Sequence, residues 1–236
     1  MKVLANDGVS QTGIDALEKA GFEVITTTVA QEQLANYINA EQIDVVLVRS
    51  ATTVRKEVID ACPNLKIIGR GGVGMDNIDV AYAREKGVHV INTPAASSGS
   101  VAELVFAHLY GGVRFLYNSN RDMPLEGDSK FKNLKKAYAK GVELRGKTIG
   151  VIGFGRIGQE VAKIAIGCGM NVIASDPFIE KATIELSFFD GQTASFTIKT
   201  IAKEALLKQA DFITLHVPAQ KEYVIGKNEF AMMKDG

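Results

Sequence analysis

The sequence predicts an α/β protein of two domains, each built on a parallel sheet, and three observations carry that prediction. Short apolar runs alternate with amphipathic stretches along the whole chain, the order expected of βα units. A turn-rich stretch, "NTPAASSGS" (92–100), interrupts the alternation once. Glycine clusters follow an apolar run in both halves, "GRGGVG" (69–74) and "GFGRIG" (153–158). At 236 residues the chain is long enough for two ordinary domains, each with its own core.

The first domain is expected over residues 1–96. Its strands are "KVLAN", "EVITT", "DVVLVR", "LKIIGR" and "VHVIN". Between them "SQTGIDALEKAG", "AQEQLANYINAE", "RKEVIDAC" and "DVAYAREKG" carry helical spacing, several with a capping Ser or Asp before them or a Gly after them. The second domain is expected over 97–236 and opens with "VAELVFAHLYGGVRFLYNSN" (101–120), read as one long apolar helix crossing between domains. The basic segment "SKFKNLKKAYAKG" (129–141) reads as a solvated connecting face rather than a nucleic-acid patch. A second βα series follows: strand "TIGVIG", helix "RIGQEVAKIAIGCG", strand "NVIASD". "IELSFFDGQTASFTI" alternates on both sides of Asp190-Gly191, a hairpin signal. A helix ("TIAKEALLKQA"), a strand ("DFITLHVP") and a helix start ("GKNEFAMMKDG") complete the chain, so the second sheet reads as C-terminally incomplete.

Composition narrows the function. Lys+Arg and Asp+Glu balance at 27 each, so no global charge draws the chain to nucleic acid or acidic membranes. The start "MKVLAND" lacks a secretory apolar region and no run approaches a membrane span. Cys62 and Cys168 have no CxxC or Cys/His ligand spacing. They read as reduced thiols of a cytoplasmic protein, with no metal site.

Two phosphate-binding patterns overlap in "GVELRGKTIGVIGFGRIGQEV" (141–161). Gly141-x4-Gly146-Lys147-Thr148 fits a P-loop, but a P-loop needs a strand before the glycines and a helix straight after the Lys-Thr. Here a strand follows, so the match is a coincidence. Gly153-Phe-Gly155-Arg-Ile-Gly158 lies between a buried strand and an amphipathic helix, the context a dinucleotide fingerprint requires. Gly153 permits the tight turn, Gly155 admits a pyrophosphate and Gly158 lets helix and strand pack closely. The amides of Arg156 and Ile157 open the helix towards the phosphates. Asp176, ending the next strand, would accept hydrogen bonds from the ribose hydroxyls and repel a 2′-phosphate, which favours NAD over NADP.

The first-domain cluster is different, because no long helix starts on it. With Arg70, its amides suit an anion such as a carboxylate. Arg49-Ser50 ends the strand "DVVLV", and open α/β sheets take ligands outside the carboxyl ends of their strands. Two arginines there imply a substrate with two anionic groups.

"VRSATTV", "GRGGVGMDNID", "GVHVINTP", "SVAELVFA", "LRGKTIGVIGFGRIG" and "SDP…DFITLHVP" together resemble the NAD-dependent D-2-hydroxyacid dehydrogenases, in order and spacing from Met1 to Gly236. Within that family the branch oxidising D-3-phosphoglycerate to 3-phosphohydroxypyruvate, the first step of serine biosynthesis, matches best. The resemblance implies a flavodoxin-like substrate domain, a Rossmann-type NAD domain and a cleft between them. It assigns Arg49, Ser50 and Arg70 to the substrate's phosphate or carboxylate, and the amides of Gly72, Val73 and Gly74 to the carboxylate. Gly153, Gly155, Arg156, Ile157 and Gly158 fall on the pyrophosphate turn, Asp176 on the ribose, and Val217-Pro218 beside the adenosine. Ser97 stands where relatives often place an asparagine near the substrate.

The same resemblance puts the catalytic Arg, Glu and His (or Lys) after the counterpart of "MMKDG", so no catalytic residue is assigned and the chain alone is expected to be inactive. His89, His108 and His216 have no carboxylate at informative spacing and read as structural. The alternatives are another D-2-hydroxyacid dehydrogenase acting on glycerate or lactate, or a non-catalytic NAD-sensing protein of the same fold. The expected partners are a small anionic 2-hydroxy acid and a second copy of the chain, docked through the apolar helix from Val101.

Overall fold

The computed structural model describes residues 1–235, which form two compact units, Met1–Ser97 and the chain from Ser98 onward. In the first unit, strands β1 (Lys2–Ala5), β2 (Glu23–Ile25), β3 (Val45–Val48), β4 (Ile67–Arg70) and β5 (His89–Asn92) alternate with helices α1 (Gln11–Lys19), α2 (Leu34–Ala40), α3 (Lys56–Ala61) and α4 (Val80–Glu85). All strand pairs are parallel, in the order β2-β1-β3-β4-β5. This is the flavodoxin-like order, whose direction reverses between β1 and β3. Leu4, Val46 and Ile68 from the three central strands are fully buried with Leu34 and Ile38 of α2 and Ile59 of α3. Strands covered on both faces are nearly continuous in Val, Ile and Leu, which is why "VVLV" carries no alternation. Ser10 caps α1 by accepting the Gly13 amide at 3.3 Å, and Gly87 turns the chain out of α4 with φ +82°.

The second unit opens with α5 (Ser98–Val113) and α6 (Leu116–Tyr138), followed by β6 (Thr148–Ile152), α7 (Arg156–Gly167) and β7 (Asn171–Ser175). The hairpin β8 (Lys181–Ser187) and β9 (Thr193–Lys199), α8 (Lys203–Gln209), β10 (Phe212–Leu215) and α9 (Lys227–Phe230) complete it. The parallel sheet has the order β10-β6-β7, so β6 is central and the winding reverses between β6 and β10. The hairpin forms where Asp190-Gly191 predicts it, with Gly191 at φ +84°. Its inner face sets Ile184 into the core with Ala182 and Ile198 against it. Thr200 then bridges Ala174 of β7.

One expectation is corrected. The single helix over 101–120 is two helices, because Phe115 sits in the left-handed region at φ +54°. The Phe115 ring packs 6.1 Å from Tyr138, and the Val142 amide donates to the Val113 carbonyl at the break. Tertiary contacts from the returning chain thus outweigh a local helical preference. The basic segment from Ser129, read as a solvated connecting face, is solvated and helical as far as Tyr138. It prolongs α6, which buries no residue and kinks at Lys130. A Lys130–Glu126 ion pair at 2.9 Å supports the turn. No helix among the described residues is long and apolar enough to cross a membrane.

Candidate functional site

The first sheet carries its glycine loop after β4, one strand beyond its reversal between β1 and β3. The second carries a glycine turn at the strand ends where its winding reverses, the place where open α/β sheets receive ligands. In the second unit that turn joins β6 to α7, and its three glycines are demanded by three different constraints. Gly153 has φ +90°, and a methyl group there would lie 2.5 Å from the carbonyl oxygen of His216. One at Gly158 would lie 2.2 Å from the carbonyl oxygen of Gly153, so helix and strand touch through backbone. Gly155, the N-cap of α7, faces open space, with nothing within 4 Å of an added methyl. No side chain caps this helix, so its first amides and the positive end of its dipole are left for an anion. Arg156 is exposed and Ile157 half-buried at that end.

Asp176 follows β7 directly. Its Oδ2 accepts the Phe154 amide at 2.7 Å, and its Oδ1 accepts the amides of Phe178 at 2.8 Å and Ile179 at 3.1 Å. The carboxylate therefore holds the glycine turn and its own loop. Val217 packs on the cluster around Leu206 and Leu207, and Pro218 is exposed beside it. The P-loop lookalike makes an ordinary turn: Gly146 has φ +76°, the Lys147 amide donates to Leu144, and β6 follows.

In the first unit the strand-end groups come from β1, β3 and β4. Gly69 and Arg70 belong to β4 itself, so the loop proper starts at Gly71. The two arginines have different fates. The Arg49 stem lies over Gly71, and its guanidinium has no hydrogen bond or ion pair among the described residues. Arg70, expected as a free anion-binding head, is instead folded back with its side chain 14% exposed. Its Nη1 donates to the Gly74 carbonyl and its Nε to the Arg49 carbonyl at 3.3 Å, with Asp76 3.9 Å from Nη2. One carbonyl of the glycine loop and one from the segment after β3 thus take up its donors. Ser50 is exposed next to Arg49. Of the three loop amides, that of Gly72 donates to Arg70, whereas those of Val73 and Gly74 have no acceptor among the described residues. The Asn92 side chain donates to the Val73 carbonyl at 2.7 Å and steadies the loop from β5.

Sequence reasoning missed the polar groups beneath this loop. Asp7, after β1, accepts the amides of Arg49 at 2.6 Å and Thr52 at 3.1 Å together with the Thr52 hydroxyl. Burial works to raise the Asp7 pKa, but the Thr52 hydroxyl and the amides of Arg49, Thr52 and Ala51 outweigh it and hold the carboxyl below its ordinary value. Asn77, 5% exposed, donates through Nδ2 to the carbonyls of Arg49 and Thr52, both at 2.7 Å. Its Oδ1 is buried without a partner. Flipping the amide would point that oxygen at two carbonyls, so the pairing fixes its orientation. A partial signal was available for Asp7, a polar residue two positions past β1, but none for Asn77, seven positions past β4.

The histidines stay outside both clusters. His216 is half-buried, with Nε2 2.9 Å from the Thr214 hydroxyl, and burial pushes its pKa down. His89 starts β5, at the end of the sheet away from Arg49, and His108 is exposed on α5. None pairs with a carboxylate among the described residues.

Residues 3–221 match the family model of the D-isomer specific 2-hydroxyacid dehydrogenase catalytic domain. A D-3-phosphoglycerate dehydrogenase of Archaeoglobus fulgidus is 41% identical over 239 residues, covering 100% of this chain and 42% of that one. A hydroxypyruvate reductase of Thermotoga maritima is 40% identical, covering 100% and 71%. The solved structure of a cofactor (NAD+) bound 3-phosphoglycerate dehydrogenase of Entamoeba histolytica superimposes with a TM-score of 0.72 at 29% identity, covering 99% and 68%. The chain thus spans about two fifths of the phosphoglycerate dehydrogenase of A. fulgidus that it matches.

Proposed function

The chain belongs to the D-isomer specific 2-hydroxyacid dehydrogenase family, and from that premise we propose that it binds NAD at the β6–α7 turn and serves the oxidation of D-3-phosphoglycerate to 3-phosphohydroxypyruvate. The observation that carries the cofactor assignment is the open space at Gly155, on an uncapped helix start between two glycines that admit no side chain. There the amides of Arg156 and Ile157 bind the pyrophosphate, Asp176 meets the ribose hydroxyls, and Val217 and Pro218 flank the adenosine. Asp176 keeps lone pairs beyond those given to backbone amides, and its charge disfavours a 2′-phosphate. Bound there, NAD supplies the hydride acceptor.

In the first unit Arg49, Ser50 and the free amides of Val73 and Gly74 hold the substrate's anionic group. Gly72 and Arg70 shape that loop. We assign no proton-transferring residue: hydride removal from a C–OH carbon needs a base and a cation at the oxygen, and among the described residues no histidine pairs with a carboxylate. The chain is read as cytoplasmic, and as a homodimer through α5 and α6, where Leu104, Leu116 and Leu125 are 56%, 54% and 81% exposed. Calorimetry with NADH and NADPH tests the cofactor reading. Equal affinity for the two would overturn it.

A second reading has one specific observation in its favour. With Arg70 folded back, Arg49 has the one guanidinium at this loop without a partner among the described residues, enough for the carboxylate of an unphosphorylated acid such as glycerate. Comparing the affinities of the chain for D-glycerate and D-3-phosphoglycerate decides between the two.

A further inference from the structure

Asp7 and Asn77 grip the same two residues from opposite sides of the backbone. Asp7 accepts the amides of Arg49 and Thr52, and Asn77 donates to the carbonyls of Arg49 and Thr52. The Thr52 hydroxyl adds a further donor to Asp7 and accepts from Asn6 Nδ2 at 2.8 Å. Asn6 is tied in turn to the Val29 backbone in both directions, by its Nδ2 at 3.1 Å and its Oδ1 at 2.8 Å. All four polar groups of the two-residue frame are thus used, by side chains rather than by sheet or helix. A loop of four residues, Arg49 to Thr52, has no regular structure of its own to fix it, yet it carries the unpaired guanidinium. It leaves β3 where the sheet order reverses, and Asp7 leaves β1 on the other side of that reversal.

We infer that Asp7, Thr52 and Asn77 are positioning residues that set the direction of the Arg49 side chain and so the affinity for the substrate anion. This rests on the reading of Arg49 as the anion-binding group. The burial pattern supports more than a fold-stabilising role. Asn77 satisfies both carbonyls through Nδ2 while its own Oδ1 is buried without a partner, so an apolar residue of similar size there would leave the Arg49 and Thr52 carbonyls without this donor. Asp7 places a carboxylate directly under the site of a proposed anion. That arrangement is tolerable only because its charge is absorbed by loop amides and a hydroxyl, which leaves the Arg49 head outside it.

The test measures dissociation constants of the 236-residue chain for D-3-phosphoglycerate, D-glycerate and NADH, by calorimetry and NMR titration, in Asp7→Asn, Thr52→Val, Thr52→Ser and Arg49→Ala variants. Asp7→Asn and Thr52→Val are each expected to weaken binding of the acid about tenfold, with NADH affinity unchanged and Thr52→Ser close to wild type. In an Arg49→Ala background the same changes are expected to have no further effect, because they act through that side chain. Wild-type acid affinity in Thr52→Val, or an equal loss with and without Arg49, overturns the inference while leaving the anion site intact. If Arg49→Ala itself leaves acid binding unchanged, the reading of the site fails, and the inference with it. Should Asp7→Asn not fold, the Thr52 pair decides alone.

Discussion

Asp176 and Phe154 are joined by a 2.7 Å hydrogen bond from the Phe154 amide to Oδ2, so the carboxylate proposed to select the cofactor also holds the glycine turn that cradles it. On that proposal, cofactor affinity and local stability meet in one side chain.

Asp176→Ala is therefore expected to do two things at once. It relaxes the preference for NADH over NADPH, and it lowers stability by about 1–3 kcal/mol because three backbone amides lose their acceptor. Paired calorimetry and urea unfolding check this. A variant that keeps full cofactor selectivity would remove Asp176 from the ribose.

The glycines of the turn should separate by mechanism. A methyl at Gly158 collides with the Gly153 carbonyl and is expected to destabilise by roughly 1–3 kcal/mol. Gly155→Ala meets nothing in the protein and should leave the unfolding midpoint unchanged while weakening NADH binding tenfold or more, an effect of about 1.4 kcal/mol. Thermal unfolding and NADH fluorescence distinguish them.

Arg49→Ala and Arg70→Ala should differ in the same way. Removing the unpaired Arg49 head is expected to weaken acid binding by roughly 1.5–3 kcal/mol, the worth of a charge-assisted contact, with little change in unfolding. Removing Arg70 takes away a brace to Gly74 and Arg49, so the unfolding midpoint should fall as well. Identical unfolding curves for the two variants would contradict the geometry.

Acid should loosen the first unit. Asp7 has a folded pKa held below its unfolded value. Its contribution is therefore present above the unfolded pKa, about 4, and is lost as pH falls through the folded value. Asp44, bonded to Lys66, and Asp79, bonded to Arg55, shift in the same direction. Stability measured from pH 6 down to 2 should drop below about pH 4, and the drop should be shallower in Asp7→Asn. A drop equally steep in that variant would show that Asp7 does not contribute.

Turnover by this chain should be absent. With His216 engaged by Thr214 and no histidine paired with a carboxylate among the described residues, NADH formation at saturating D-3-phosphoglycerate with a trap for the keto product should stay at background. Rates of about 1–10³ per second, ordinary for enzymes, would mean that the proton-transferring group is present and unrecognised.

Much of this molecule was determined locally. Apolar runs of four or five residues such as "VVLV" and "TIGVI", too short for helices and rich in β-branched residues, read as buried strands, and the helices between them favour a parallel sheet. The turn from Gly153 to Gly158 was legible because a glycine pattern between strand and helix has one steric solution, and Asp190-Gly191 announced its hairpin for the same reason. What the sequence could not determine was set by groups that meet only after folding. Nothing local separates Arg49 from Arg70: both end an apolar strand. The fold leaves the Arg49 guanidinium without a partner among the described residues and turns that of Arg70 onto the carbonyls of Gly74 and Arg49. Asp7, Thr52 and Asn77 lie far apart along the chain and converge because β1, β3 and β4 run parallel and end together. The helix from Ser98 breaks at Phe115 because Tyr138 and Val142 return to that point. Periodicity reports which face of an element is buried. Which partner a polar group finds depends on the strand order, and only the tertiary structure decides that.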